Sequence, residues 1–308
     1  MKALLLPPAI VLAVTLGFAA ASCGSNDDAT SAGPIPSLED TTGTTEEVET
    51  STTTTEEEPT DTEPSGGFVT YQVWFADDAE GLFVSYRTQE QTPRVGTAAL
   101  EALLEGPDSF EQEYGLITAV PDGTQLLGLK IADGIARVDL TSEFESGGGS
   151  ASMQMRLAQV VYTITQFPTV KGVVFSLDGD PIDVLGGEGI IIDHPLTRGD
   201  YADLLPTILV TSPALGQEVG SPVLISGSAN VFEANVSVKI LDENDEVIAE
   251  TFTTATCGTG CRGTYRVSVP YEVDHAQDGT IVVHDDDAAG VGRPPHEVRI
   301  PVRLVPGA

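Results

Sequence analysis

The sequence predicts an α+β domain followed by an all-β sandwich, with a long polar segment in front of both. Between residues 68 and 196 helical and strand patterns mix, whereas short β runs dominate after Pro206. Residues 24–67 contain almost no apolar side chains. Mixed elements are typical of an α+β layer, and a series of short strands is typical of a sandwich. The folded part, about 240 residues long, suits two domains better than one.

The first 23 residues have the layout of a bacterial lipoprotein signal. Lys2 supplies a positive charge, an apolar run follows, and small residues precede Cys23. The pattern predicts a signal peptide over residues 1–22 and a diacylglycerol on the thiol of Cys23, the first residue of the mature chain. The protein would then be extracytoplasmic, anchored to the outer face of the cytoplasmic membrane. An uncleaved membrane-spanning anchor and a simple secretory signal remain open as alternatives.

Residues 23–67 are predicted to be a disordered acidic tether. Ser, Thr, Glu, Asp, Pro and Gly dominate this segment, and it contains no lysine or arginine. Such a composition cannot bury enough apolar surface to offset the entropy of ordering. A flexible chain of this length has a root-mean-square reach of roughly 40 Å. The tether would therefore hold the folded part away from the membrane.

The formal net charge of −33 limits the classes of partner. It excludes nucleic acid, which requires a basic surface, and direct docking on anionic lipid headgroups. Membrane attachment is therefore expected through the lipid on Cys23, with an envelope protein or a cell-wall polymer as the partner. Solubility or a salty habitat is the simpler explanation of the acidity, and a basic partner or bound cations is the other.

The first domain, residues 68–196, is predicted to begin with a β-hairpin. Val69, Tyr71, Val73 and Phe75 alternate along one face, which is the pattern of a strand. The predicted strands of the domain are 68–75, 82–87, 125–131, 135–140 and 171–177. Their order, interrupted by two helices, predicts helices packed on one face of a sheet.

Two helices are predicted between these strands. Thr92 is expected to cap the first, with Pro93 at its first helical position and Gly106 just after its end. Ser150 or Ser152 is expected to cap the second, which buries an apolar stripe. The stripe consists of Met153, Leu157, Val160, Val161, Ile164 and Phe167.

The second domain, residues 206–308, is predicted to be a β-sandwich. The boundary lies near residues 197–206, where the mixed pattern gives way to strands alone. The clearest alternating runs are 236–240, 265–269, 280–283 and 298–302. Strands at this spacing, separated by turns, are typical of a sandwich.

Cys257 and Cys261 are predicted to form a disulfide. The two cysteines flank a glycine-rich loop, and a close pair of this kind in an exported protein is usually bonded. A zinc site would require more thiolate or imidazole ligands, and no histidine flanks the pair. The loop between the cysteines is short, so the bond is expected to shape the loop and to add little stability.

Both domains resemble known families. The first matches the GerMN (sporulation and spore germination) domain at residues 103–107, 117–124, 133–144 and 160–167. This resemblance covers about residues 68–193 and implies a small α+β fold, similar to the ring-building modules of secretion and sporulation assemblies, without a catalytic residue. The second resembles the immunoglobulin-like domain of bacterial spore germination, which often follows GerMN. Its matching residues are 210–213, 216, 221–222, 225–229 and 231–236.

Catalytic motifs are absent from the sequence. It contains no G-x-S-x-G elbow, H-E-x-x-H motif, P-loop or dinucleotide-binding glycine pattern. The histidines are scattered: His194, His275, His284 and His296. Asp285, Asp286 and Asp287 offer oxygen ligands for calcium, although a run without alternating ligand spacing is more often a solvated turn. We therefore expect no catalytic residue, no metal site and no cofactor.

Two classes of function remain. The favoured one is a non-catalytic, lipid-anchored envelope protein that binds or scaffolds other envelope proteins or wall polymer. The alternative is a wall-active hydrolase or a carbohydrate-binding lipoprotein. A hydrolase requires a cleft with convergent carboxylates or a nucleophile, and a sugar binder usually shows clustered aromatic residues. Trp74 is the only tryptophan and lies in a strand predicted to be half buried, which favours the first class.

Overall fold

Most of the two predicted domains is described by a computed structural model of this chain. The described residues are 67–77, 81–187, 189–286, 292 and 294–307. Cys23 and the predicted signal peptide lie outside these residues, as does the predicted tether up to residue 66.

Helices and strands follow each other in mixed order in the first domain. Its helices are α1 (Val95–Glu105), α2 (Ser109–Tyr114) and α3 (Ser150–Ile164). Its strands are β1 (Phe68–Ala76), β2 (Leu82–Glu90), β3 (Leu126–Ala132), β4 (Ile135–Leu140), β5 (Gly172–Leu177), β6 (Asp180–Pro181), β7 (Val184–Leu185) and β8 (Ile190–Ile191). Short 3-10 helices cover Ser142–Glu145 and Arg198–Leu204. The predicted α+β class is confirmed.

The first hairpin stays outside the main sheet of this domain. β3, β4, β5 and β6 lie side by side in that order, whereas β1 pairs only with β2 among the described strands. β4 and β5 run parallel, so α3 is the crossover that connects them. α1 and α3 pack against each other, and each contacts both β1 and the four-stranded sheet. The helices thus lie against the sheet, as predicted, and also against a hairpin that does not belong to it.

Side chains from α3 and the turn after it pair with the outer edge of β1. The Gln72 N–H donates to Gln166 Oε1 over 2.7 Å, and Gln166 Nε2 donates to the Gln72 carbonyl over 2.7 Å. The Trp74 N–H donates to Thr163 Oγ1 over 3.1 Å, and Gln159 Nε2 donates to the Trp74 carbonyl over 3.1 Å. Buried backbone groups require such partners. Because these side chains occupy the edge, no strand of the main sheet can pair there.

α1 begins later than the sequence predicted. Its N-cap residue is Arg94, which makes no side-chain cap. Thr92 Oγ1 accepts a hydrogen bond from the Arg94 N–H over 3.2 Å, so Thr92 stabilises the turn before the helix. The predicted cap at Thr92 and the placement of Pro93 inside the helix are therefore wrong. The predicted end is confirmed, because Gly106 is the C-cap residue.

A buried arginine, and not a serine cap, holds the start of α3. Gly149 is the N-cap residue and has no side-chain hydrogen bond, so the predicted caps at Ser150 and Ser152 are wrong. Arg156 is 2% exposed. Its guanidinium donates to the carbonyl oxygens of residues 144, 146 and 147 and to Ser152 Oγ, over 2.6 to 3.2 Å. Burial lowers the pKa of Arg156, because the charged form loses hydration.

Gly148 in this turn cannot be replaced without displacing its neighbours. Its φ is +76°, in the left-handed region that favours glycine. An added Cβ would lie 2.8 Å from Ser152 Oγ and 2.9 Å from Arg156 Nη2. The turn before α3 therefore depends on both the glycine and the arginine.

α3 is buried on nearly all sides. Residues of the predicted stripe that lie within the helix are buried, which confirms the stripe: Met153, Leu157, Val160, Val161 and Ile164. Phe167 lies beyond the helix end and is partly buried. Gln159 and Thr163 are 0% exposed. Apolar spacing did not predict their burial, because it depends on their hydrogen bonds to β1.

The second domain is a two-sheet sandwich, as predicted. Its strands are β9 (Ile208–Ser212), β10 (Glu218–Val219), β11 (Val223–Ala229), β12 (Asn235–Leu241), β13 (Val247–Thr254), β14 (Gly263–Val269), β15 (Gln277–His284) and β16 (Glu297–Leu304). One sheet has the order β10-β16-β15-β12-β13 and the other β14-β11-β9. Side chains from both sheets form the core, including Ile225, Val238, Ile281 and Ile300.

The described residues of the two domains belong to one compact unit, and the domains contact each other through β2 and α2. β2 lies against β9 of the sandwich. The Tyr114 hydroxyl donates to the Arg299 carbonyl, and burial raises the pKa of Tyr114 to about 12. The Phe110 ring lies against Gly216, where an added Cβ would be 2.9 Å from the nearest ring carbon. Polar and aromatic contacts thus fix the sandwich beside the first domain.

Cys257 and Cys261 are joined by a disulfide in the loop between β13 and β14. Their Cα atoms lie 5.8 Å apart. Within this loop the Thr259 N–H donates to the Val231 carbonyl over 2.9 Å. The bonded loop therefore docks on the segment between β11 and β12.

Replacing Arg156 with methionine should destabilise the first domain. Methionine keeps an unbranched side chain, but it leaves the carbonyl oxygens of the turn before α3 without their donor. We expect the free energy of unfolding in urea to fall by about 2–3 kcal/mol. The control Arg94→Met, at an exposed position, should change it by less than about 0.5 kcal/mol. Equal effects of the two changes would show that the buried guanidinium does not hold this turn.

Mass spectrometry of unreduced peptides should detect a link between Cys257 and Cys261 in the exported protein. Reduction should lower the stability of the sandwich by no more than about 2 kcal/mol, because a five-residue loop removes little entropy from the unfolded chain. The sandwich should therefore remain folded after reduction, as judged by circular dichroism. Two thiols that react freely with an alkylating reagent before reduction would contradict the bond.

Candidate binding groove

The first domain contains a groove between the end of β1 and the first turns of α3. One wall is the extended segment 117–119, which a bridge holds to β1. The Ala76 N–H donates to the Ile117 carbonyl over 2.9 Å, and the Ile117 N–H donates to the Ala76 carbonyl over 2.8 Å. α3 contributes Ala151 and Met155, and Leu204 reaches the groove from the segment between the domains. The groove has a volume of about 260 Å³.

Apolar side chains dominate the lining of the groove. Met155 and Ala76 are buried, whereas Ile117 is 48% exposed. The polar side chains of the lining are Thr118, Ser152 and Gln154. An apolar concavity with a few polar groups is typical of a binding site, but this one is smaller than the roughly 300–1,000 Å³ of small-molecule pockets. Its size suits one or two anchoring side chains of a larger partner.

Gln159 fixes the position of the groove wall. Its Oε1 accepts from the Ala119 N–H over 2.8 Å, and its Nε2 donates to the Trp74 carbonyl over 3.1 Å. One fully buried amide thus connects the 117–119 segment, β1 and α3. Because both ends of the amide are hydrogen-bonded, the wall is held in place before any partner binds.

Four described carboxyl groups have a lowered pKa: Glu111, Glu143, Asp200 and Asp242. Burial raises the pKa of Glu111, but hydrogen bonds from Arg87, Ser85 and the Asp108 N–H outweigh it. Arg87 binds Glu111 with two 2.7 Å hydrogen bonds. A general acid requires a raised pKa, so these groups are suited to structural roles.

The histidines pair with neighbouring carboxylates and do not line the groove. The pairs are His194 with Asp193 and Asp200, His275 with Glu243, His284 with Asp286, and His296 with Asp285. Hydrogen bonds with Asp193 and Asp200 raise the pKa of His194. None of these pairs includes a hydroxyl or thiol nucleophile.

The aspartate run after β15 is partly described. Asp285 is buried, and Asp286 Oδ2 accepts from Asn235 Nδ2 over 3.0 Å and from Ser237 Oγ over 2.9 Å. Asp287 lies outside the described residues. Within the described part of the chain, no group of three or more His, Cys, Asp or Glu side chains is arranged to hold a metal ion.

Trp74 is more deeply buried than the predicted half-buried strand implies, at 2% exposure. Its Nε1 donates to Gln72 Oε1 over 3.2 Å. The Arg198 guanidinium lies 5.3 Å from the centre of its ring. The indole therefore cannot offer an open face to a sugar.

Sequence reasoning did not predict the groove. Its residues come from β1, the 117–119 segment, α3 and the interdomain segment, which are far apart in the chain. The resemblance at residues 117–124 marked one wall as a family motif but did not show what it faces. In the part of the chain that is described, no helix has the length and apolar composition to span a bilayer. Cys23, the predicted lipidation site, lies outside that part.

Several solved structures resemble parts of this chain. A candidate lipoprotein from Clostridium perfringens is 25% identical, covers 45% of this chain and 93% of its own, and has a TM-score of 0.33. The first GerMN domain of the sporulation protein GerM from Bacillus subtilis is 24% identical, with coverages of 43% and 99% and a TM-score of 0.36. The tandem GerMN domains of that protein are 17% identical, with coverages of 65% and 61% and a TM-score of 0.38. A search of curated proteins found no match.

Family models match both domains in the order that the sequence predicted. Residues 72–183 match the sporulation and spore germination family, Germane. Residues 207–291 match Gmad2, the immunoglobulin-like domain of bacterial spore germination. Neither description names a catalytic activity. This chain therefore carries a sporulation and spore germination domain followed by an immunoglobulin-like domain of bacterial spore germination.

Proposed function

We propose that this chain is a lipid-anchored protein of the cell envelope that binds another envelope protein through the groove of its first domain and catalyses no reaction. The observation that carries this proposal is the apolar groove, held open by the buried amide of Gln159. The groove lies in the domain that matches the sporulation and spore germination family. The described residues around it offer hydrogen bonds and apolar surface but no acid/base pair.

The N-terminal sequence supports the envelope location. Small residues precede Cys23, and the other two cysteines of the chain are joined to each other. A lipid on Cys23 would give the third cysteine of the chain a function. The acidic segment that follows supplies the reach that a membrane-anchored binding domain requires.

The charge of the first domain as a whole indicates the chemistry of the partner. Residues 68–196 contain nineteen acidic and six basic side chains. A partner segment that presents an apolar anchor flanked by lysine or arginine would complement both the lining and this charge. A wall polymer is polar along its length, so the apolar lining favours a protein over a polymer as the primary partner.

The alternative functions have less support. A sugar binder would present aromatic faces, but Trp74 is buried beneath Arg198. A hydrolase would require a nucleophile with its base, or a carboxyl group with a raised pKa, in a cleft, and the side chains that line the groove include no carboxyl group, histidine or cysteine.

Lipidation at Cys23 can be tested by labelling. Radioactive palmitate supplied to cells should enter the wild-type protein and should not enter Cys23→Ser, because that change removes the only thiol predicted to be acylated. Cys257→Ser is the matched control and should keep the label. Equal labelling of the wild type and Cys23→Ser would contradict the membrane anchor but would leave the groove proposal standing.

Partner binding at the groove can be tested by photocrosslinking in intact cells. A photoreactive residue at Ile117 should capture a specific envelope protein, whereas one at Val247, an exposed site in the sandwich, should not. Ala151→Trp should reduce the capture at least about tenfold, because the indole occupies the groove. Glu101→Trp, on the exposed face of α1, should leave the capture unchanged.

Two outcomes would contradict the binding function. One is that the Ala151→Trp variant captures the partner as strongly as the protein without this change, while its thermal unfolding midpoint stays the same. The other is turnover of peptidoglycan, peptide or ester substrates by the purified protein, abolished by one conservative side-chain change. The second outcome would favour the hydrolase.

A further inference from the structure

A second concavity of the first domain, here called the polar cleft, lies beside the hairpin of β1 and β2. Its volume is about 470 Å³, within the roughly 300–1,000 Å³ of small-ligand sites. It shares no described lining residue with the apolar groove. Apart from Arg198, the lining consists of side chains that carry a hydroxyl or an amide group: Thr70, Tyr71, Gln72, Tyr86, Thr165 and Gln166.

Arg198 is the only charged side chain among the described residues of this lining. Its Nε donates to Thr165 Oγ1 over 2.9 Å, and its Nη2 donates to the Tyr162 carbonyl over 2.8 Å. The guanidinium also lies 4.8 Å from the centre of the Tyr162 ring. These contacts hold the guanidinium in one orientation, so little side-chain entropy remains to be lost when a ligand binds.

One edge of the Arg198 guanidinium is left for a ligand. The bonds to Thr165 and Tyr162 use the Nε side, and Nη1 donates to no described residue. Nη1 is also absent from the buried polar atoms that lack a partner, so it is accessible to solvent. The N–H groups at the end of a guanidinium, one from each Nη, match the two oxygens of a carboxylate. Arg198 can therefore bind a carboxylate with two parallel hydrogen bonds.

Among the described residues, no carboxylate neutralises Arg198. Burial lowers the pKa of Arg198, and of its neighbours only Tyr162 opposes this effect. A buried charge without a counter-ion is costly, and an anionic ligand would remove this cost. Other cations of the described part of the chain differ in that they pair with carboxylates: Arg87, Lys239, Arg299 and Arg303.

A second guanidinium, that of Arg262 in the sandwich, adds positive charge near the polar cleft. It donates to the carbonyl oxygens of Leu205 and Pro206. Burial raises the pKa of Tyr162, and the positive charges of Arg198 and Arg262 oppose that rise. Two guanidinium groups thus act on one tyrosine in a chain whose net charge is −33. The local charge favours an anion here, in contrast to the acidity of the whole chain.

The rest of the lining suits a ligand rich in hydroxyl groups. The Tyr86 hydroxyl donates to the Thr211 carbonyl over 2.5 Å, and Gln72 Nε2 donates to the Tyr86 hydroxyl over 3.4 Å. The Thr70 and Thr88 hydroxyls lie 2.8 Å apart. These bonds fix the polar groups, and hydroxyl oxygens retain acceptor capacity for a ligand. The lining has no aliphatic side chain to receive an apolar anchor of a peptide, whereas sugar hydroxyl and acetamido groups complement it.

We propose that the polar cleft binds a carboxylate-bearing sugar, with the carboxylate on the free edge of Arg198 and the hydroxyl and acetamido groups on Thr70, Gln72 and Tyr86. The ion pair supplies the affinity that a stacking aromatic face gives in neutral sugar sites. The proposal does not depend on the apolar groove or its protein partner, because the two sites have separate linings, so either can fail without the other.

The first test compares two ligands that differ by one acidic group. N-acetylmuramic acid is N-acetylglucosamine with an added lactyl group, which carries a carboxylate. Each is titrated against the full chain in mild detergent and followed by ligand-observed NMR. The acid should bind at least about tenfold more tightly than the neutral sugar, because only the acid pairs with Arg198. This preference should shrink at about 1 M salt, where the Debye length is about 3 Å.

The second test changes the charge of the polar cleft. Arg198→Gln should weaken binding of the acid at least about tenfold and leave the neutral sugar unchanged. Thr70→Glu and Thr70→Gln, at an exposed position, keep the contacts of Arg198 and differ from each other in charge. The glutamate should weaken binding of the acid at least about fivefold relative to the glutamine, because it repels the carboxylate. Arg94→Gln, at an exposed position outside the lining, is the control and should have no effect.

The Thr70 pair keeps the proposal testable if Arg198→Gln lowers the thermal unfolding midpoint. Equal affinity for the two sugars, no binding of either, or equal binding of the acid to Thr70→Glu and Thr70→Gln would overturn the proposal. N-acetylalanine, which presents a peptide-like carboxylate without a sugar, is the last probe. If it bound as tightly as N-acetylmuramic acid, the polar cleft would be assigned to peptide carboxylates and the sugar proposal would be wrong.

Discussion

Hydrogen bonds from polar side chains of α3 and of the turn after it hold β1 in its place in the first domain. Gln159, Thr163 and Gln166 take the place of a neighbouring strand along the edge of β1. Buried peptide groups without partners are costly, so these side chains determine where the hairpin can lie. Gln159 also holds the 117–119 segment. One helix therefore positions the hairpin and the groove wall together.

The two domains differ in how they are stabilised. The sandwich depends on apolar side chains from two facing sheets, an arrangement that tolerates variation in the connecting loops. The first domain depends more on buried polar groups, among them Arg156 beneath the turn before α3 and Glu111 paired with Arg87. Polar networks of this kind are stabilising only when nearly every member is paired. The first domain is therefore expected to be less tolerant of substitution at these positions.

The two strand edges of the first domain differ in whether other groups of the chain cover them. The β1 edge is covered by side chains of its own chain, whereas the outer edge of β3 is not covered by any described strand. The groove lies beside the covered edge, and the exposed side chains of Leu127 and Ile131 belong to the strand whose outer edge is uncovered.

Local spacing of side chains is enough to predict the two fold classes, most strands and the apolar stripe of α3. The helix starts at Val95 and Ser150 depend instead on tertiary contacts, since Thr92 and Arg156 stabilise the preceding turns through hydrogen bonds outside the helices. Tertiary contacts also decide that the hairpin lies outside the main sheet. The groove joins segments far apart in the chain, and no periodic pattern encodes which of them meet. Long-range hydrogen bonds such as those of Gln159 determine which of these segments meet.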